Sequence, residues 1–64
     1  MLFSKVKYLS NLAARAIGTI PSKITVLWEK WDDINVHVTC FKYNGNEYKM
    51  FRKDGAILAV SLVG

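Results

Sequence analysis

Few side chains in this sequence could do covalent chemistry. Its thiol, imidazole and carboxyl groups amount to one cysteine (Cys40), one histidine (His37) and five acids (Glu29, Asp32, Asp33, Glu47 and Asp54). A thiol and an imidazole invite comparison with a nucleophile–base pair. Cys40 and His37, however, lie three positions apart in a stretch dense in Val, Thr, Phe and Tyr. On a strand an odd spacing sends two side chains to opposite faces, so they form no dyad, and Cys40 reads as a small buried hydrophobe. Acid–base catalysis needs ionisable groups held together. Asp32, Asp33 and Asp54 sit where turns want Asp for backbone reasons. Glu47 falls opposite Lys42 across a hairpin, a surface pair, and Glu29 stands alone. Gly18, Gly45, Gly55 and Gly64 each fit a cap, a turn or an end, which leaves no phosphate-cradling loop. A structural zinc site wants four ligands, and Asp32, Asp33 and His37 are the nearest approach to a metal set. No catalytic residue, metal or cofactor is therefore expected, and the chain reads as a non-enzyme.

The elements that position these groups follow from a single change of hydrophobic period. Leu2, Val6, Leu9, Ala13, Ala16, Ile17 and Ile20 recur at steps of three and four, the helical signature. Ser4 suits an N-cap, with Phe3 and Tyr8 placed to form a hydrophobic staple. Gly18 suits a C-terminal stop, and Pro21 forbids continuation. The spacing predicts a helix over about Lys5–Ile17. Past Pro21 the residues favour strands. Asn44-Gly45 and Asp54-Gly55 are strong type I′ hairpin signals, and Asp32-Asp33 is a weaker third turn. Strands are expected over about 23–31, 34–43, 46–53 and 56–63. Connections this short force antiparallel neighbours, so the fold expected is α+β: one N-terminal amphipathic helix on a four-stranded antiparallel meander in the order 1-2-3-4.

Two-residue turns set register. They place Phe41 opposite Tyr48, Thr39 opposite Met50 and His37 opposite Arg52. Across the next turn, Phe51 falls opposite Leu58, Lys49 opposite Val60 and Met50 opposite Ala59. A two-residue turn at Asp32-Asp33 would set Leu27 against Val38 and Trp28 against His37. One face then holds Leu27, Trp31, Ile34, Val36, Val38, Cys40, Phe51, Leu58, Val60 and Leu62, interrupted by Lys49, and the helix is expected to lie across it. The other holds Ile24, Val26, Trp28, His37, Thr39, Phe41, Tyr43, Tyr48, Met50, Arg52, Ile57 and Ala59. That second face lacks the polar–apolar alternation of a wetted sheet.

The chain has 64 residues, 52% of them hydrophobic, and a formal charge of +4. One domain fits that length, and one cysteine cannot staple its own chain. The apolar content is too high for a disordered tail. The longest largely apolar stretches, Ala56–Val63 and Ile24–Trp28, fall short of the ~20 residues that span a bilayer. Residues 1–28 carry Lys5, Lys7, Arg15 and Lys23 with no acid, the pattern of a mitochondrial presequence. A structural helix in an intracellular, cytoplasmic or virion-associated protein is the preferred expectation.

The second face reads as a docking surface for a protein partner or another copy of the chain. Ile24, Trp28, Phe41, Tyr48, Met50, Arg52 and Ile57 would make the contacts, since aromatic residues, Met and Arg are enriched at interfaces. A small accessory, inhibitor or assembly subunit, of the kind phages and viruses encode, fits that description. Single-stranded nucleic acid is the alternative occupant, with Phe41, Tyr43 and Tyr48 stacking on bases and Arg52, Lys30 and Lys23 meeting phosphates. Lys5, Lys7 and Arg15 could meet an anionic membrane surface, against the plainer reading of an ordinary solvated helix face. The sheet could also curl until both faces are internal.

Overall fold

A computed structural model describes residues 5–32 and 34–63. Helix α1 (Lys5–Ile17) is followed by one 3-10 turn (Pro21–Lys23). Strands β1 (Thr25–Trp31), β2 (His37–Tyr43), β3 (Asn46–Lys53) and β4 (Ala56–Val63) come next. The strands form one antiparallel sheet in the order β1-β2-β3-β4, with α1 packed on it. The helix ends as its sequence requires. Gly18 takes the left-handed conformation (φ 78°), and the Thr19 amide donates to the Ala14 carbonyl at 2.9 Å, closing a Schellman motif. The cap expected at Ser4 and the Phe3 staple lie outside the described residues.

Two hairpins follow their dipeptides. Asn44 and Gly45 have φ of 53° and 82°, and Asp54 and Gly55 have 52° and 81°, positive at both central positions as type I′ requires. The β1–β2 connection differs from the two-residue turn expected. The Asn35 amide donates to the Asp32 carbonyl at 3.1 Å and the Asp32 amide to Val36 at 2.7 Å, with Asn35 at φ 64°. β2 consequently begins at His37 rather than near residue 34; Asp33 itself lies outside the described residues. The extra turn residues change the pairing by an odd step, so Trp28 faces Cys40 and Trp31 faces His37. A bulge at Leu27 sets Val26 opposite Phe41 rather than Thr39, on the same side of the sheet. Beyond it Trp28 and Lys30 cross to the side of Cys40 and Val38, while Glu29 and Trp31 join Thr39 and His37.

β4 carries a second correction. The ladder shifts between Phe51 and Arg52, so Met50 pairs with Val60, Phe51 with Ala59 and Tyr48 with Leu62. The extra residue, Leu58, turns the rest of the strand over, which is the effect of any one-residue bulge. Val60 and Leu62 thereby leave the face assigned to them and join Met50 and Tyr48.

The helix covers the face expected to be open. Ala13, Ala14, Ile24, Phe41 and Met50 form the buried cluster, with Leu12, Ile17, Val26, Tyr43, Tyr48 and Val60 packed around it. The physical reason lies in the strands. The other face carries Lys30, Lys42, Lys49 and Lys53, and a helix laid over four ammonium groups would strip their hydration without supplying partners. Small residues bring the helix close to the sheet. Leu9, Ser10, Ala13 and Ala14 point inward, while Val6, Ala16 and Ile20 of the expected stripe are exposed. The sheet does not need to curl to shelter its aromatics, because α1 shelters them.

Candidate functional site

Two groupings could carry function, one on each side of the sheet. Beneath the helix, successive strand positions gather Glu29 from β1, His37 and Thr39 from β2 and Arg52 from β3; α1 adds Lys5 and Tyr8. Arg52 Nη2 donates to His37 Nδ1 at 2.9 Å. That nitrogen therefore acts as an acceptor, and Nε2–H donates to Glu29 Oε1 at 2.5 Å. The Thr39 hydroxyl lies 3.4 Å from the same Nδ1. Lys5 Nζ stands 3.3 Å from the second Glu29 oxygen. The Arg52 guanidinium lies 5.5 Å from the centre of the Tyr8 ring and reaches its hydroxyl at 3.5 Å, and Trp31 meets the imidazole edge-on at 4.8 Å. The hydrogen bond from His37 holds the Glu29 carboxyl below the usual glutamate range, partial desolvation opposes it, and Lys5 adds to the lowering. Arg52 Nε is buried and without an acceptor.

A carboxylate–imidazole pair next to a hydroxyl has the outline of a charge relay, but the geometry does not support nucleophilic attack. Thr39 is fully buried, and Arg52 occupies the ring nitrogen that would take its proton. The cluster acts as a polar rivet joining helix to sheet. Glu29, expected to stand alone, is its anchor, and Lys5 finds in it the acid that its own segment lacks. Sequence reasoning missed this because the β1 register that unites Glu29 with His37 depends on the longer turn. The His37–Arg52 opposition itself was legible from Asn44-Gly45.

Among the described residues no group of three or more His, Cys, Asp and Glu is placed to hold a metal. Cys40 and His37 face opposite sides of the sheet. Burial pushes the Cys40 thiol up, with the Glu47 charge adding to that and Lys49 opposing it, so the thiolate needed for nucleophilic or metal chemistry is disfavoured.

The seven residues expected to line one docking surface do not form one. Ile24, Phe41 and Met50 are core residues. Tyr48 stacks on Phe41 at 5.3 Å, and Arg52 is half-buried in the rivet beside Ile57. Trp28 lies on the opposite face. The residues expected to bind nucleic acid divide in the same way. Phe41, Tyr43, Tyr48 and Arg52 belong to the helix side, Lys30 to the other, and Lys23 to the exposed 3-10 turn. Lys7 and Arg15 remain on the exposed surface of α1.

The helix-free face is the second grouping. Its rows run Trp28–Cys40–Lys49–Ser61 and Lys30–Val38–Phe51–Ala59, flanked by Lys42–Glu47–Val63 and by Lys53 with Ala56. Val38 and Cys40 are buried on the central strand. Trp28 remains 40% exposed, with Lys30 Nζ and Lys49 Nζ 5.7 and 5.8 Å from its ring centre. Four lysines thus surround Trp28 and half-buried Phe51, and Glu47 is the one carboxylate in these rows. A signal for this face exists in the sequence: Lys49, Phe51 and Lys53 alternate with the core residues of β3.

Comparison with protein-family models, with curated proteins and with solved structures returned no match. Among the described residues no helix is long and apolar enough to cross a membrane.

Proposed function

We propose that this protein is a non-enzymatic binding module that takes single-stranded nucleic acid on its helix-free sheet face. The observation that carries the reading is the array of Lys30, Lys42, Lys49 and Lys53 around Trp28 and Phe51, with Glu47 the one carboxylate paired within those rows. Single-strand binders combine cations that follow the phosphates with rings on which bases stack, and a sheet provides both on one surface. A base laid on Trp28 would displace one lysine from the ring toward the adjoining phosphate, exchanging a cation–π contact for a stacking contact and an ion pair. A protein partner suits this face less well, because lysine is depleted at protein interfaces.

Tryptophan fluorescence during titration with a short oligothymidylate tests the proposal. Three or four phosphate contacts give a slope near −0.7 per contact, so affinity should fall by about 20–50-fold between 50 and 200 mM salt. Trp28→Ala should weaken binding by about 1–3 kcal/mol, and Lys30→Glu with Lys49→Glu should abolish it. Binding indifferent to salt, or unaffected by these substitutions, would refute the proposal.

A further inference from the structure

Among the described residues the outer edge of β4 has no neighbour in the sheet, so it presents a row of main-chain amides and carbonyls available for pairing. Sheets ordinarily guard such an edge with charge, proline or distortion. The opposite edge, β1, follows that rule with Glu29, Lys30 and a bulge at Leu27. β4 does not. Ala56–Val63 reads AILAVSLV, eight residues without a charge or a proline, and its one irregularity at Leu58 leaves Ala59–Val63 in regular register. Ile57, Leu58, Leu62 and Val63 are 38%, 59%, 59% and 42% exposed, a density of bare aliphatic surface found on no other strand.

We propose that β4 pairs antiparallel with β4 of a second copy of this chain across a two-fold axis. Charge selects that occupant. Two chains of +4 repel wherever their lysines meet, and β4 is the one strand that brings no charge to the encounter. A two-fold strand pair is self-complementary, setting an uncharged segment against itself. An acidic partner would instead be drawn to the lysine rows of the open face. In an antiparallel edge pairing the axis runs perpendicular to the sheet, so the product is one eight-stranded sheet. Both helices lie on one side, and both Trp28–lysine faces join on the other. The pairing does not depend on what those faces bind.

Light scattering across about 1 µM to 1 mM protein tests this, with Leu62→Lys and Ser61→Lys as separate variants. Both positions are exposed, so each variant should keep the wild-type circular dichroism spectrum. The wild-type mass should rise from 7.3 kDa to twice that value, and both variants should stay at 7.3 kDa across the range. Hydrogen exchange provides a second reading: β4 amides should be protected in concentrated wild-type protein and exchange faster in either variant. A wild-type chain that stays monomeric would overturn the proposal. So would a dimer that both lysine variants retain, or a mass that grows without limit.

Discussion

His37 accepts a hydrogen bond from the Arg52 guanidinium at Nδ1 and donates one through Nε2–H to the Glu29 carboxylate, so one ring joins β1, β2 and β3. Lys5 and Tyr8 extend the same network into α1. Its strength depends on pH through Glu29, whose carboxyl is held low first by His37 and then by Lys5. A carboxyl that binds its proton less readily folded than unfolded contributes stability above the ordinary glutamate range. That contribution is lost as pH falls through the lower, folded value. The difference in urea midpoint between wild type and Glu29→Gln, present at pH 7, should therefore close as pH falls below about 4. A difference that stays constant across that range would remove Glu29 from the account. The ion pair with Lys5 is solvent-screened and is expected to contribute little of it.

At the scale of elements, turns account for both what was expected and what was not. Gly45 and Gly55 hold φ near 80°, and a methyl group on either would meet nothing within 4 Å. Alanine at either site should then cost only the backbone penalty, about 1–2 kcal/mol, measured by thermal or urea unfolding. A loss below about 0.3 kcal/mol would mean that the hairpins do not need the left-handed geometry. The helix limits, β3, β4 and both type I′ turns were legible because Gly18, Pro21, Asn44-Gly45 and Asp54-Gly55 act locally. The Asp32–Val36 connection was not, since no glycine marks it and Asn35 supplies the left-handed residue. The bulges at Leu27 and Leu58 leave no local mark either. Each places an aliphatic residue where the alternation already expects one.

At the scale of the molecule, the two faces of the sheet should differ sharply in what they contribute to stability. Phe41 is fully buried under α1, whereas Phe51 is half-buried on the open side. Phe41→Ala should cost about 3–5 kcal/mol, most of the ~3–10 kcal/mol expected for a domain of this size. Phe51→Ala should cost about 1 kcal/mol. Urea unfolding of the two variants compares them directly, and equal losses would contradict the placement of the helix. The same asymmetry separates the roles of the faces. The helix side is occupied with stability, whereas Trp28 and its lysines, and much of β4, stay exposed.

One helix, four strands, their order and the residue-by-residue pairing of β2 with β3 follow from local sequence. Those features rest on interactions within a few positions: capping, proline, and turns that require positive φ. Which face the helix covers, and which residues stay open, depends instead on how elements distant in the chain pack together. A strand alternates sides with every residue, so one added turn or bulge residue exchanges its faces without changing its hydrophobic content. Three such adjustments carry Trp28 and Lys30 to the open face and place Glu29, Val60 and Leu62 on the helix side. The choice between faces then follows from Lys30, Lys42, Lys49 and Lys53, because ammonium groups can stay hydrated on an open sheet and cannot under a helix.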